Sequence, residues 1–189
     1  IFYDEGVEHL ILSITFQGDA DNFAWIVPTP KKPEVTKSID SVFTRLDELT
    51  KPEYSAPMPF RDGGEFGIME QDMAKNVTVL ETKKIEYYDI AVLEANDEQA
   101  LYNWLNDNGY RFPQAGNAIA DEYIKKGWIF TAVKIDNERE HYAQGQLTAG
   151  HAVPLKLSFE TDQIVYPLKI SSINGMEDNA PEGQVTYIN

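Results

Sequence analysis

The sequence predicts an α+β fold, with about three helices packed on a mixed, mainly antiparallel sheet of about six to eight strands and long loops at the rim. Two observations carry this. Short apolar runs with strand-like alternation recur along the chain, each bounded by Gly, Pro, Asn or Asp. Between them, the stretch from Tyr87 to Ile135 reads as a buried strand, a capped helix, a second helix and another buried strand. The whole of residues 1–189 is expected to form a single domain.

Val7 to Phe16 places Leu10, Leu12, Ile14 and Phe16 on one face and Ser13 and Thr15 on the other, the period of a half-buried strand. Gly18 to Asn22 is a turn, and Phe23 to Val27 is a second strand expected to run antiparallel to the first. Pro28, Pro30 and Pro33 then predict an extended, non-pairing exit. Ser38 can cap a helix through about Leu49, with Ile39, Val42, Phe43, Leu46 and Leu49 as its apolar stripe and Pro52 preventing continuation. Residues 51–76 lack periodicity and carry Pro52, Pro57, Pro59, Gly63, Gly64 and Gly67, so a flexible loop is expected there.

Val77 to Ile85 leads as a strand into the central stretch, where Asp89 to Leu93 is a buried strand. Asn96 as N-cap with Gln99 three residues on fits a capping box, and Ala100, Leu101, Trp104 and Leu105 form the buried stripe. Asn108-Gly109 supplies a left-handed C-terminal cap. Pro113 opens a second helix, Gly127 closes it, and Trp128 to Ile135 follows as a strand apolar on both faces. Trp104 and Trp128 are both expected in the core. Asp136 to Pro154 reads as an exposed connection, and Leu155 to Phe159 with Ile164 to Ile170 as a hairpin whose second arm is marked as an edge by Pro167. A short strand at Gln184 to Ile188 ends the pattern.

The net charge of −15 argues against nucleic acid and anionic membrane surfaces, because the densest basic spots are only the pairs Lys31-Lys32, Lys83-Lys84 and Lys125-Lys126. Cysteine is absent, which removes thiolate nucleophiles, disulfides and thiolate metal sites. No apolar run approaches the ~20 residues needed to cross a bilayer. Asp19, Asp21 and Asn22 resemble the opening of a calcium loop, but Pro30 stands where a bidentate Glu is required. His9 lies in a strand and His141 and His151 in one loop, without an HExxH pattern. GxSxG is absent, and no Gly-Lys-Ser/Thr follows Asp62-Gly63-Gly64. Asn76-Val77-Thr78 matches a glycosylation sequon, relevant only in a eukaryotic secretory setting. No catalytic, cofactor-binding or metal-ligating residue is assigned.

Phe23 to Pro30 (FAWIVPTP), Val92 to Tyr110, Gly127 to Ile135 (GWIFTAVKI) and Ile164 to Ser171 (IVYPLKIS) together resemble an uncharacterised bacterial family, domain of unknown function 2330. The resemblance implies a secreted or membrane-anchored envelope protein with a signal peptide, a cysteine-containing N-terminal segment and often a C-terminal membrane helix. It brings no established activity and therefore no catalytic residue. The sequence shows none of those three features, as a piece excised from a longer envelope protein would not. The expected function is a non-enzymatic extracellular or cell-envelope module that binds an unknown protein or envelope ligand. The alternative is a hydrolase acting on cell-wall sugar or peptide with carboxylates from residues 51–76 and 136–154. A structural piece of a larger envelope protein is a third reading.

Overall fold

Apolar residues on both sides of a strand require a covering layer on each side, and the central strands of this chain are of that kind. The computed structural model describes residues 1–15, 24–50, 77–110, 112–135, 151–175 and 187–188. Its elements in chain order are β1 (Phe2–Asp4), β2 (Val7–Thr15), β3 (Ala24–Thr29), β4 (Glu34–Lys37), α1 (Ser41–Thr50), β5 (Val77–Ile85), β6 (Tyr88–Ala95), α2 (Glu98–Asp107), α3 (Asn117–Ile124), β7 (Ile129–Ile135), β8 (His151–Glu160) and β9 (Tyr187–Ile188). Short 3-10 segments occupy Gln114–Gly116 and Leu168–Gly175.

The predicted α+β class holds, and the strands divide between two sheets whose described pairings are all antiparallel. One runs β1-β2-β8-β4 with β9 also on β2; the other runs β3-β7-β6-β5. Leu10, Leu12, Ile14, Val35, Leu157 and Phe159 of the first sheet pack against Trp25, Val27, Tyr88, Ile90, Val92 and Val133 of the second. The opposite face of the second sheet, through Ala91, Leu93, Phe130 and Ala132, packs against Leu101, Leu105, Ile119, Ala120 and Tyr123 of the helices. The β3-β7-β6-β5 sheet is therefore the middle of three layers.

The two sheets are fastened by adjacent tyrosines. Between Leu12 and Ile14, β2 slips register against β8, so two residues of β8, Val153 and Pro154, stand opposite Ser13. The Tyr88 hydroxyl donates to the Val153 carbonyl at 2.8 Å, and the Val153 N–H donates to the Tyr87 hydroxyl at 2.6 Å. Tyr88 also meets Trp25 edge-on at 5.3 Å between ring centroids.

Several expectations shift. The strand at Trp25 pairs with β7, not β2, because β2 lies in the other sheet. The proline-rich exit does pair: Pro28 sits on β3, an edge strand that needs no outward N–H, and the chain then crosses to form β4 against β8. The first helix begins at Ser41, and its stripe is largely unburied, with Ile39 and Leu49 exposed. The cap of α2 is Asp97, whose carboxylate accepts the Ala100 N–H at 2.8 Å, one residue beyond Asn96. A 3-10 turn intervenes between Pro113 and α3. There Gly116 allows close packing, since a Cβ would stand 2.7 Å from Phe112 Cζ and 3.0 Å from Ile173 Cδ1 and would force these buried side chains to shift. Ile164 to Ile170 is no strand arm: Pro167 cannot donate, the Val165 N–H goes to a side chain, and the Leu168 N–H folds back on the Tyr166 carbonyl at 2.8 Å. Trp25 is the interior tryptophan, whereas Trp104 and Trp128 are half-buried at the edge of the helical core. The connection expected over Asp136 to Pro154 is shorter, because His151 to Pro154 belong to β8, where Ala152 pairs with Ile14 and is buried. The loop expected over 51–76, the Gly18 to Asn22 turn with its calcium-like acids, and residues 136–150 with His141 lie outside the described residues.

Candidate functional site

Both α2 and α3 end in a glycine-dependent reversal, and the second of these builds one wall of a surface groove. Gly127 takes φ +68°, the Gly127 N–H donates to the Ile124 carbonyl at 2.8 Å, and the Trp128 N–H to the Tyr123 carbonyl at 3.1 Å. This paired arrangement turns the chain sharply and sets the Trp128 ring beside Tyr123, with centroids 5.1 Å apart. The same pattern at Gly109 (φ +78°) brings Tyr110 onto Trp104, stacked at 5.8 Å. The predicted glycine caps at both helix ends are present.

The facing wall is the segment from Gln163 to Lys169, and the groove between them measures about 360 Å³. Glu122, Tyr123, Lys126 and Trp128 line one side, and Val165, Tyr166 and Leu168 the other. Tyr166 and Leu168 are exposed, as is the adjacent Ile164, so the irregular segment presents an apolar edge to solvent. That is within the size range of small-ligand sites.

Three contacts fix this wall. Lys169 pairs with Glu122 across the groove. The Tyr123 phenol accepts backbone N–H groups of Ile170 and Lys169; its pKa is raised by burial, with those bonds opposing the shift. From the first sheet, Glu8 Oε2 accepts the Val165 N–H at 2.8 Å. Glu8 is fully buried, and its Oε1 has no hydrogen-bond partner.

Burial pushes the Glu8 carboxyl up, and the Val165 bond opposes this less strongly. A raised folded-state pKa means that the native chain holds the proton more tightly than the unfolded one. The stability contributed by Glu8 is thus complete below the ordinary value of 4.5 and is lost as pH climbs through the raised one. Glu8→Gln keeps an acceptor for Val165 but does not titrate. Its stability relative to the parent is expected to improve as pH rises through the acid range, read by urea unfolding of both proteins between about pH 4 and 8. A difference independent of pH would contradict this account of Glu8.

Among the described residues the other chemistry-bearing groups do not converge. His9 Nδ1 and Ser158 Oγ are 2.8 Å apart, but the register across β2, β8 and β4 places Glu34 beyond the serine, not behind the imidazole. This is the reverse of a charge-stabilised triad. Among the described residues no group of three or more His, Asp or Glu side chains is placed to hold a metal ion. The loops expected to carry hydrolytic carboxylates lie largely outside the described residues. A strand over Ile164 to Ile170, as the sequence predicts, would leave no groove there. The signal in the sequence is Pro167, which interrupts a run that is apolar at Ile164, Val165, Tyr166, Leu168 and Ile170.

Fold and groove together define a three-layer α+β domain with an aromatic surface groove on its helical side. The chain belongs to the DUF2330 family, described as an uncharacterized protein conserved in bacteria, whose family model matches residues 1–180. No curated protein and no solved structure matches the chain. Among the described residues no helix is long and apolar enough to cross a membrane.

Proposed function

We propose that the chain is a non-enzymatic binding module of the bacterial cell envelope, held at the membrane in the full-length protein, and that it engages its ligand through the groove between α3 and residues 163–169. The observation that carries this reading is the exposure of Tyr166 and Leu168 opposite the half-buried Trp128. Apolar and aromatic side chains left in solvent around a concavity, with polar groups at the rim, are the ordinary makings of a recognition site. The envelope location is supported by the resemblance in the sequence. The hydrolase reading draws no support from the groove, where the lining carboxylate, Glu122, is paired with Lys169.

The test uses cell-envelope fragments of the encoding bacterium. The wild-type chain is expected to co-sediment with them, and the double variant Trp128→Ala, Tyr166→Ala to remain in the supernatant while keeping its circular dichroism spectrum. Equal retention of both proteins would overturn the groove as the binding surface. Recovery of the native full-length protein in the cytoplasmic fraction would overturn the envelope assignment.

A further inference from the structure

We infer that the groove takes a saccharide bearing a carboxylate, with Trp128 and Tyr166 as ring platforms and Lys126 as the counter-charge; this rests on the binding-module reading above. The argument begins with the cations. Lys125 is paired with Asp121 at 2.7 Å and Lys169 with Glu122, so both are engaged. Lys126 lines the groove between them, and its ammonium makes no hydrogen bond or ion pair with a described residue. Its one contact is to the Trp128 ring, with Nζ 6.0 Å from the centroid, at the outer limit of cation–π attraction. Little is lost when such an ammonium turns to an anion. In a chain with 31 acidic and 16 basic residues, this lysine pairs with no described acid and stands beside an exposed aromatic surface.

The remaining polar groups suit hydroxyls. Gln163 and Tyr166 line the same groove, and neither the Gln163 side-chain amide nor the Tyr166 phenol is hydrogen-bonded to a described residue. An amide that can both donate and accept, a phenol that can do likewise, and an aromatic face matched to C–H groups are the complement of a pyranose ring. The overall charge of −15 repels a long polyanion, whereas one carboxylate can be met by one lysine. The groove volume of about 360 Å³ has room for a short saccharide.

Calorimetric titration with cellobiouronate and cellobiose, which differ in a single carboxylate, tests the assignment, and N-acetylglutamate supplies the anion without a ring. Cellobiouronate is expected to bind roughly tenfold or more tightly than cellobiose, an advantage lost in Lys126→Ala and reduced by salt. N-acetylglutamate is expected not to bind, and Trp128→Ala to abolish binding of both sugars. Lys126 is exposed, so its variant should unfold at the parent's temperature, and a thermal scan verifies this. Equal affinity for the two disaccharides, with Trp128→Ala still disruptive, would overturn the carboxylate assignment and leave the binding module standing. Binding of N-acetylglutamate as tight as cellobiouronate would overturn the saccharide assignment. Failure of all three probes to bind would overturn the inference, and the envelope co-sedimentation above then decides the module reading separately.

Discussion

Tyr88→Ala is expected to destabilise the chain by about 3–5 kcal/mol, the range for emptying a buried aromatic site. The side chain is 1% exposed, contacts Trp25 edge-on and Tyr87 at 4.6 Å, and carries the hydroxyl that satisfies the Val153 carbonyl. Tyr88→Phe separates the two contributions. It keeps the ring and leaves that carbonyl without its donor, which costs about 1–3 kcal/mol. Chemical denaturation of the three proteins at one pH reads both values. A phenylalanine variant as stable as the parent would show that the tyrosine pair does not fasten one sheet to the other. Burial also holds the Tyr88 phenol protonated far above the ordinary tyrosine range, so the donor is present at any pH at which the chain folds.

Phe130→Ala is the second large effect, again about 3–5 kcal/mol. Phe130 is 0% exposed and projects from the opposite face of the same middle sheet, into the core formed by α2, α3 and the Leu168–Gly175 segment. Register places Tyr88 opposite Ile135, and Phe130 is five positions back along β7, roughly 16 Å away at the rise of a strand. Sites that far apart, on opposite faces, should add within about 0.3–0.5 kcal/mol. The Tyr88→Phe, Phe130→Ala double variant is therefore expected to lose the sum of its two single costs. A coupling above about 1 kcal/mol would mean that the two cores are not separate packing units across the middle sheet. The alanine at 130 is also expected to loosen the groove, because Tyr123, Ile170 and Ile173 share its core.

Patterns that depend on nearest neighbours were legible in the sequence. Residues 129–135 are apolar on both faces apart from Thr131 and Lys134, and both faces are covered; the glycines at 109 and 127 adopt the left-handed backbone that helix ends favour. What lies across each face was not legible. A two-sided strand states that it needs two layers, not that one is a helix and the other a second sheet. Glu8 shows the limit within one strand. The alternation that buries Leu10, Leu12 and Ile14 also turns Glu8 inward, yet only the long-range contact with Val165 explains why a carboxylate is tolerated there. Trp104, inside α2, and Trp128, directly after the Gly127 reversal, fit apolar stripes equally well as core or as rim, and both lie half-buried at the rim. The groove itself depends on Val165, Tyr166 and Leu168 meeting Tyr123 and Trp128, more than thirty residues earlier, a proximity that no local pattern encodes.

The proposal that the groove between α3 and residues 163–169 binds a ligand is tested most directly by amide chemical shifts of isotopically labelled chain during addition of cellobiouronate. Movement confined to Lys126, Trp128 and residues 163–169, with His9, Ile11, Lys156 and Ser158 on the outer face of the first sheet unchanged, is the expected result. Shifts concentrated on that outer face or along α1, with the groove residues still, would contradict the account.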